Sequence, residues 1–128
     1  MKLRATLLAL ALSAVAASAF AAQEYSLIGH WRVGDGSAVI DIRACGDALC
    51  GFVASAPPPG PGEKSAVGQK IILGMKRDGV LWKGPIFNID DGKTYDGEIS
   101  LSGPDRLQVR GCVAGGGICG GETWKREN

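Results

Sequence analysis

The cysteines are the residues of this chain with the clearest capacity for covalent or metal chemistry. There are four of them, and the chain has a single histidine, His30. Spacing favours two local pairs, Cys45 with Cys50 and Cys112 with Cys119, among the three pairings that four cysteines allow. A zinc site is not expected, because neither pair is a C-x-x-C and too few histidines accompany them. We therefore predict two disulfides, as in other small exported domains.

Catalytic residues are harder to identify. His30 stands beside Trp31, and the period-two alternation of a strand would point it away from the interior if Trp31 points inward. The sequence shows no nucleophile elbow, no His/Asp partner and no free cysteine that could act with His30 in catalysis. Asp90 and Asp91 precede a glycine and indicate a turn rather than a calcium loop. We expect no enzyme, no cofactor and no metal.

The stretch 82–101 contains the strands that the other elements are organised around. Alternate residues in its second half are apolar or small: Tyr95, Gly97, Ile99 and Leu101. This pattern predicts a half-buried strand. A two-residue Asp91-Gly92 turn before it would pair Ile86 with Gly97 and place Trp82 and Ile86 on the same inner face.

A three-residue loop at 90–92 is the alternative, and it would put Phe87 opposite Tyr95. We favour the two-residue turn because it leaves Phe87 and Ile89 on the outside. The following hairpin is better determined, because matching the apolar faces gives three pairs: Leu101 with Leu107, Ile99 with Val109, and Glu98 with Arg110. The last pair is a favourable cross-strand contact of opposite charges.

The first 21 residues predict a secretory signal peptide. Lys2 and Arg4 precede an apolar run too short to span a bilayer comfortably, and Ala19-Phe-Ala21 provides a cleavage site. Cleavage leaves residues 22–128 as one domain, with a periplasmic or secreted location. The full chain has 14 basic and 13 acidic residues, so removing Lys2 and Arg4 leaves a near-neutral domain. This balance favours neither nucleic acid nor an anionic membrane surface, and no later segment would span a membrane.

The mature chain predicts an all-β fold. About eight short strands separated by glycine-rich turns indicate a small antiparallel up-and-down β-barrel. Pro57-Pro-Pro-Gly-Pro-Gly62 breaks the pattern and marks a long connection at 56–68. It is interpretable as a linker, a surface loop or a lid beside a pocket, and we favour a mobile surface loop.

Short motifs in a fixed order resemble one bacterial family. They are Gly29-His-Trp31, Ile40-Asp-Ile42, Cys45-Gly46, Leu49-Cys-Gly51, Trp82-Lys-Gly84, Asp91-Gly-Lys-Thr-Tyr95, Arg110-Gly-Cys112, Cys119 and Trp124-Lys-Arg126. The exported family called domain of unknown function 2147 is similar in this order and spacing over residues 29–126. The resemblance implies a lipocalin-like, calycin-type barrel around a pocket and no established activity. The proline-rich loop departs from the family pattern.

Gly29-His30-Trp31 also resembles the Gly-x-Trp motif of lipocalins. The resemblance implies that Trp31 closes the barrel floor and that an arginine from a late strand packs over it. Arg126 is the first candidate for that arginine and Arg110 the second. Such a contact would be structural, combining a cation–π interaction with burial of a large ring.

Five inward residues are expected to line a pocket: Trp82, Ile86, Tyr95, Ile99 and Trp124. A barrel of this size either fills with side chains or holds one small ligand. The favoured function is binding of a small apolar ligand. The alternative is a cell-envelope structural or protein-interaction scaffold with a packed barrel. A hydrolase would need two titratable groups converging in a cleft, and the sequence nominates no such pair.

Overall fold

The computed structural model describes residues 26–113, 115 and 117–128. The predicted signal peptide, residues 1–21, lies outside this described part, as do residues 22–25 of the predicted domain. In the described part the chain forms strands and turns. A search of the same residues finds no helix of the length and hydropathy needed to cross a membrane.

Eight strands follow one another along the described chain: β1 (Gly29–Arg32), β2 (Val39–Cys45), β3 (Ala48–Ser55), β4 (Lys70–Asp78), β5 (Leu81–Asn88), β6 (Lys93–Leu101), β7 (Arg106–Cys112) and β8 (Cys119–Glu127). Each strand pairs antiparallel with the next, and β1 also pairs with β8. The predicted up-and-down barrel is confirmed. Because the barrel is closed, each of these strands has a partner on both sides.

The connections between strands divide between two ends of the barrel, because successive strands run in opposite directions. The open end carries residues 33–38, 56–69, 89–92, 113, 115 and 117–118. The closed end carries residues 26–28, 46–47, 79–80 and 102–105. These two names are used below for the two ends.

The hairpin between β5 and β6 has a different register from the predicted one. Ile86 pairs with Tyr95, so the loop contains four residues, 89–92, instead of two. The N–H of Gly92 donates to the carbonyl oxygen of Asn88 at 2.8 Å, and Gly92 has a positive φ of 69°. A glycine in this conformation lets the longer loop close.

The shift by two residues preserves which face each side chain occupies. Trp82 and Ile86 stay on the inner face of the barrel, because side chains alternate with a period of two. The three-residue alternative is also wrong, since Phe87 pairs with Thr94 and not with Tyr95. The register of β6 with β7 is confirmed, with three predicted pairs present: Leu101 with Leu107, Ile99 with Val109, and Glu98 with Arg110.

Glycines allow β4, β5 and β6 to approach one another closely. Gly84 lies directly opposite Gly97. A Cβ atom on Gly84 would collide with the main-chain oxygen of Gly74, and the side chain of Ile86 fills the space in front of Gly97. Glycine is therefore required here by the close approach of neighbouring strands.

The closed half of the barrel is filled with side chains. Its most deeply buried members, each at most 2% exposed, are Trp31, Ile42, Ile72, Met75, Ile99 and Leu107. The core continues towards the open end through four further residues: Ile40, Val53, Val109 and Trp124. Beyond them the interior opens, so the barrel is packed in one half and hollow in the other.

Candidate ligand-binding cavity

A cavity of about 660 Å³ occupies the open half of the barrel. Aliphatic side chains from several strands form its walls: Ile40, Val53, Ile71, Ile86 and Val109. Tyr95 and Trp124 add two aromatic surfaces. A concave, mainly apolar space of this size, with a few polar groups at its rim, has the usual features of a small-molecule site.

Three of the five predicted lining residues are brought together here. Ile86, Tyr95 and Trp124 line the cavity. Ile99 does not, because it lies deeper in the filled half and is only 2% exposed. Trp82 packs half-buried against the edge of the core instead. Alternation along a strand predicts the face of a residue but not its depth in the barrel.

The long connection 56–69 contributes residues near its two ends to the cavity. Ala56, Pro57 and Ala66 line one side of the cavity. The base of the connection is held to β3, since the N–H of Gly68 donates to the carbonyl oxygen of Val53 at 2.7 Å. The two ends of the connection therefore form part of the cavity wall, while residues 58–65 do not line it. No local sequence signal predicts this contact.

Glu122 and Trp124 are alternate residues on the inner face of β8. The indole Nε1 of Trp124 donates a hydrogen bond to Oε1 of Glu122 at 2.5 Å. Trp124 is 4% exposed, whereas Glu122 lies exposed at the rim and lines the cavity. The hydrogen bond orients the indole and places the Glu122 carboxylate at the Nε1 edge of the ring, on the side of the open end. Of these two residues, only the tryptophan was predicted from the sequence.

Tyr95 is held in place at the cavity wall by the β5–β6 loop. Its hydroxyl donates a hydrogen bond to Oδ2 of Asp91. That hydrogen bond raises the pKa of Tyr95, and in return it is the main cause that lowers the pKa of Asp91. The second oxygen of Asp91 accepts from the N–H of Lys93 at 2.8 Å. The Asp91 carboxylate therefore acts as a turn and positioning group, which argues against the calcium interpretation.

Asp35 adds a further carboxylate to the rim. Its Oδ1 accepts hydrogen bonds from the hydroxyl of Ser37 at 2.5 Å and from the N–H of Ser37 at 2.9 Å. The hydrogen bonds from Ser37 lower the pKa of Asp35, the side-chain one more strongly. Asp35 is therefore ionised at neutral pH.

Trp31 lies in the filled half, near the closed end. It is fully buried, and its Nε1 donates to the carbonyl oxygen of Leu27 at 2.8 Å. Cζ of Arg126 stands 4.2 Å from the centroid of the Trp31 ring. Arg126, the first candidate for this contact, occupies the position. Arg110, the second candidate, lies exposed opposite Glu98.

Gly29 completes the contact between Trp31 and Arg126. Its φ is +139°, and a Cβ atom there would lie 2.9 Å from Nη1 of Arg126. The guanidinium also donates to main-chain oxygens, to that of Ser26 at 2.8 Å and to that of Pro104 at 2.9 Å. One arginine thus links β8, the segment before β1 and the β6–β7 turn.

The two disulfides have the predicted pairing and lie at opposite ends. Cys45–Cys50 braces the β2–β3 hairpin at the closed end. Cys112–Cys119 joins residues directly opposite each other on β7 and β8 at the open end. The β2–β3 turn contains only residues 46–47, because β3 begins at Ala48.

The remaining candidate for chemistry, His30, lies exposed on the outer face of β1. Its Nε2 is 3.9 Å from Oδ1 of Asp41, and Asp41 also pairs with Arg43 at 2.9 Å. His30 takes no part in the cavity. Among the described residues, no group of three or more metal-ligating side chains converges.

Comparisons with known proteins agree with this architecture. The family described as "Uncharacterized protein conserved in bacteria (DUF2147)" matches residues 29–126. A solved structure from the human pathogen Helicobacter pylori, protein HP1028, is described as belonging to the lipocalin family. It superposes with a TM-score of 0.67 at 18% identity, over 80% of this chain and 84% of that one. No curated protein matches. The structural likeness shows a lipocalin-like fold.

Proposed function

We propose that this chain, which belongs to the DUF2147 family of bacterial proteins, binds a small and mainly apolar ligand inside its barrel. The observation that carries the proposal is the cavity of about 660 Å³ above the packed half of the core. An apolar space of this size forgoes packing contacts that a core would normally make. A ligand that fills it would restore them.

The location of the cavity supports the same function. It lies at the open end, where the connection 56–69 forms one wall, while Arg126 and Trp31 lie near the closed end. A ligand therefore gains access past the open-end loops. Our alternative function, a structural scaffold with a packed barrel, requires a filled interior. The cavity in the open half of the barrel does not support this alternative.

We also propose that the protein acts in the periplasm or after secretion. Two disulfides in a domain of this size are typical of an oxidising compartment. The basic and apolar first 21 residues agree with export. The partner implied by this function is a small hydrophobic ligand rather than a nucleic acid.

Calorimetric titration of the purified mature protein with 1-decanol tests the proposal. Gly120 lines the cavity and has no neighbouring atom within 4 Å of its Cβ position. Gly120→Phe should therefore fill the cavity and reduce decanol binding at least about tenfold, the effect of losing ~1.4 kcal/mol of binding free energy. Lys125→Phe places the same ring at an exposed outer position of the same strand and should leave binding unchanged.

Either of two results would overturn the proposal. The first is no heat of binding for 1-decanol by the disulfide-intact protein. The second is equal decanol affinity of the Gly120→Phe variant and the unsubstituted protein, which would place the binding outside the barrel. Circular dichroism of each variant checks that the barrel still forms.

A further inference from the structure

The ionisable side chains that line the cavity in the described part of the chain are all acidic. Three carboxylates line it, those of Asp35, Asp90 and Glu122. Among the described residues no lysine, arginine or histidine lines it. No ion pair joins any of these three carboxylates to a basic side chain of the described part. The rim therefore presents negative charge that its described neighbours do not neutralise.

Glu122 is the best placed of the three to meet a ligand. It occupies an inner-face position on β8, two residues before Trp124 and four before Arg126. Arg126 is engaged by Trp31 and by main-chain oxygens. Within residues 26–113, 115 and 117–128, Glu122 has no basic partner; its Oε1 accepts one hydrogen bond, from Trp124. Because a carboxylate offers about four acceptor positions, most of its capacity stays available to a group in the cavity.

The aromatic surfaces of the cavity fit the same kind of group. Trp124 follows Glu122 on the inner face of β8, and Tyr95 lies on β6, two strands away around the barrel. The faces of aromatic rings attract organic cations, tryptophan most strongly. A carboxylate in a cavity that is also lined by two aromatic rings thus offers a charge attraction and an aromatic surface to one positively charged head group, with aliphatic walls for an apolar tail.

We infer that the cavity selects an amphiphilic organic cation, with its apolar body among Ile40, Val53 and Val109 and its ammonium head at the rim, against the carboxylate of Glu122. This inference rests on the proposed function and adds the class of ligand to it. A fatty acid with an apolar chain as long as that of the cation would bring its carboxylate against the three negative charges of Asp35, Asp90 and Glu122. A bare metal ion would leave the apolar walls unused.

Three decyl compounds separate the effect of the head-group charge on affinity from the effect of the apolar chain. They are decyltrimethylammonium, 1-decanol and decanoate. Each has an apolar chain of similar length, and each is titrated calorimetrically at low salt into the disulfide-intact protein. We expect the cation to bind about three- to tenfold more tightly than the alcohol, from one partly exposed ion pair and one cation–π contact. Decanoate should bind more weakly than the alcohol, and added salt should narrow the difference.

Glu122→Gln then tests the residue assigned to the head group. The amide keeps an acceptor for Trp124 and removes the charge, so the advantage of decyltrimethylammonium over decanol should fall about threefold or more. The matched control is Glu98→Gln. Glu98 lies on the outer face opposite Arg110, and its substitution should leave the advantage intact.

The outcomes are distinguishable from failure of the proposed function. Decanol binding without preference for the cation, or equal cation preference in Glu122→Gln and the unsubstituted protein, overturns the inference and leaves apolar binding standing. Tighter binding of decanoate than of decyltrimethylammonium does the same. Absence of binding by all three compounds overturns both proposals together.

Discussion

The guanidinium of Arg126 lies over the fully buried ring of Trp31, 4.2 Å from its centroid. β8 and β1 are neighbours at the seam where the barrel closes, and these two residues are directly paired across it. The contact therefore closes the barrel and also covers its floor. Since Arg126 further donates to three main-chain oxygens, those of Ser26, Ile28 and Pro104, it ties three segments together.

Replacing Arg126 by lysine should destabilise the fold although it keeps the charge. A lysine ammonium cannot stack as a plane on Trp31 while donating in three directions. From the lost cation–π contact and charged hydrogen bonds we expect a decrease of about 1–3 kcal/mol in the free energy of unfolding. Urea unfolding followed by tryptophan fluorescence measures it. Arg110→Lys is the control and should change the free energy by about 0.5 kcal/mol or less; equal effects would contradict the assigned role.

Gly29 and Gly120 should respond in opposite ways to substitution by alanine. Gly29 has a φ of +139°, and a Cβ atom added there would lie 2.9 Å from Nη1 of Arg126. Gly29→Ala should therefore cost about 1–3 kcal/mol. Gly120 has no positive φ and no neighbour within 4 Å, so Gly120→Ala should be neutral or stabilise by about 0.4–1 kcal/mol. Chemical denaturation of both variants checks the ranking, which fails if Gly29→Ala is the more stable.

The parts of the fold that were predictable from sequence depend on short-range pattern. The register of β6 and β7 was accessible because two independent signals agree: the apolar pair Ile99 and Val109, and the charge pair Glu98 and Arg110. Arg126 was identified through the resemblance of Gly29-His-Trp31 to a known motif. The disulfides join cysteines separated by only 5 and 7 positions, so spacing was sufficient.

The parts that were not predictable depend on depth and on distant contacts. The β5–β6 loop has four residues because Asn88 accepts two hydrogen bonds from within the loop, one from the N–H of Gly92 and one from the N–H of Asp90. The Asp-Gly pair in the sequence does not by itself predict these hydrogen bonds or the length of the loop. Ile99 has the right face for the cavity but lies too deep. Glu122 was not predicted because its neighbours at the rim come from loops far away in sequence.

The ion pair between Arg32 and Glu127 should make stability depend on pH in the acid range. The guanidinium binds the carboxylate with two hydrogen bonds of 2.7 and 2.9 Å across the β1–β8 seam. The hydrogen bond from Arg32, and then its charge, hold the pKa of Glu127 below the ordinary value. The contribution of this pair is therefore complete above the unfolded glutamate pKa of about 4.3 and is lost as pH falls through the lower pKa of the folded state.

Comparison of melting temperatures with the Glu127→Gln variant isolates this effect. The unsubstituted protein should melt higher than the variant at pH 7, and the two should converge as the pH falls through the folded pKa of Glu127. High salt at pH 7 should also reduce the difference, because both side chains are partly exposed. A difference that persists unchanged in strong acid would show that the carboxylate charge is not its cause.

Removing the two disulfides one at a time should separate two contributions to the free energy of unfolding, the chain entropy of loop closure and the packing of buried cysteine. The loops they close are of similar length, with sequence separations of 5 and 7, so chain entropy alone predicts about 2–2.5 kcal/mol for each. Cys50 is 1% exposed, whereas Cys119 is exposed at the open end. The Cys45→Ala, Cys50→Ala double variant should therefore lose about 1 kcal/mol more than the Cys112→Ala, Cys119→Ala variant, through lost core packing. Guanidinium unfolding of both double variants measures the difference.

A larger loss of unfolding free energy for the Cys112→Ala, Cys119→Ala variant would mean that loop closure at the cavity rim stabilises the fold more than burial of Cys50 does.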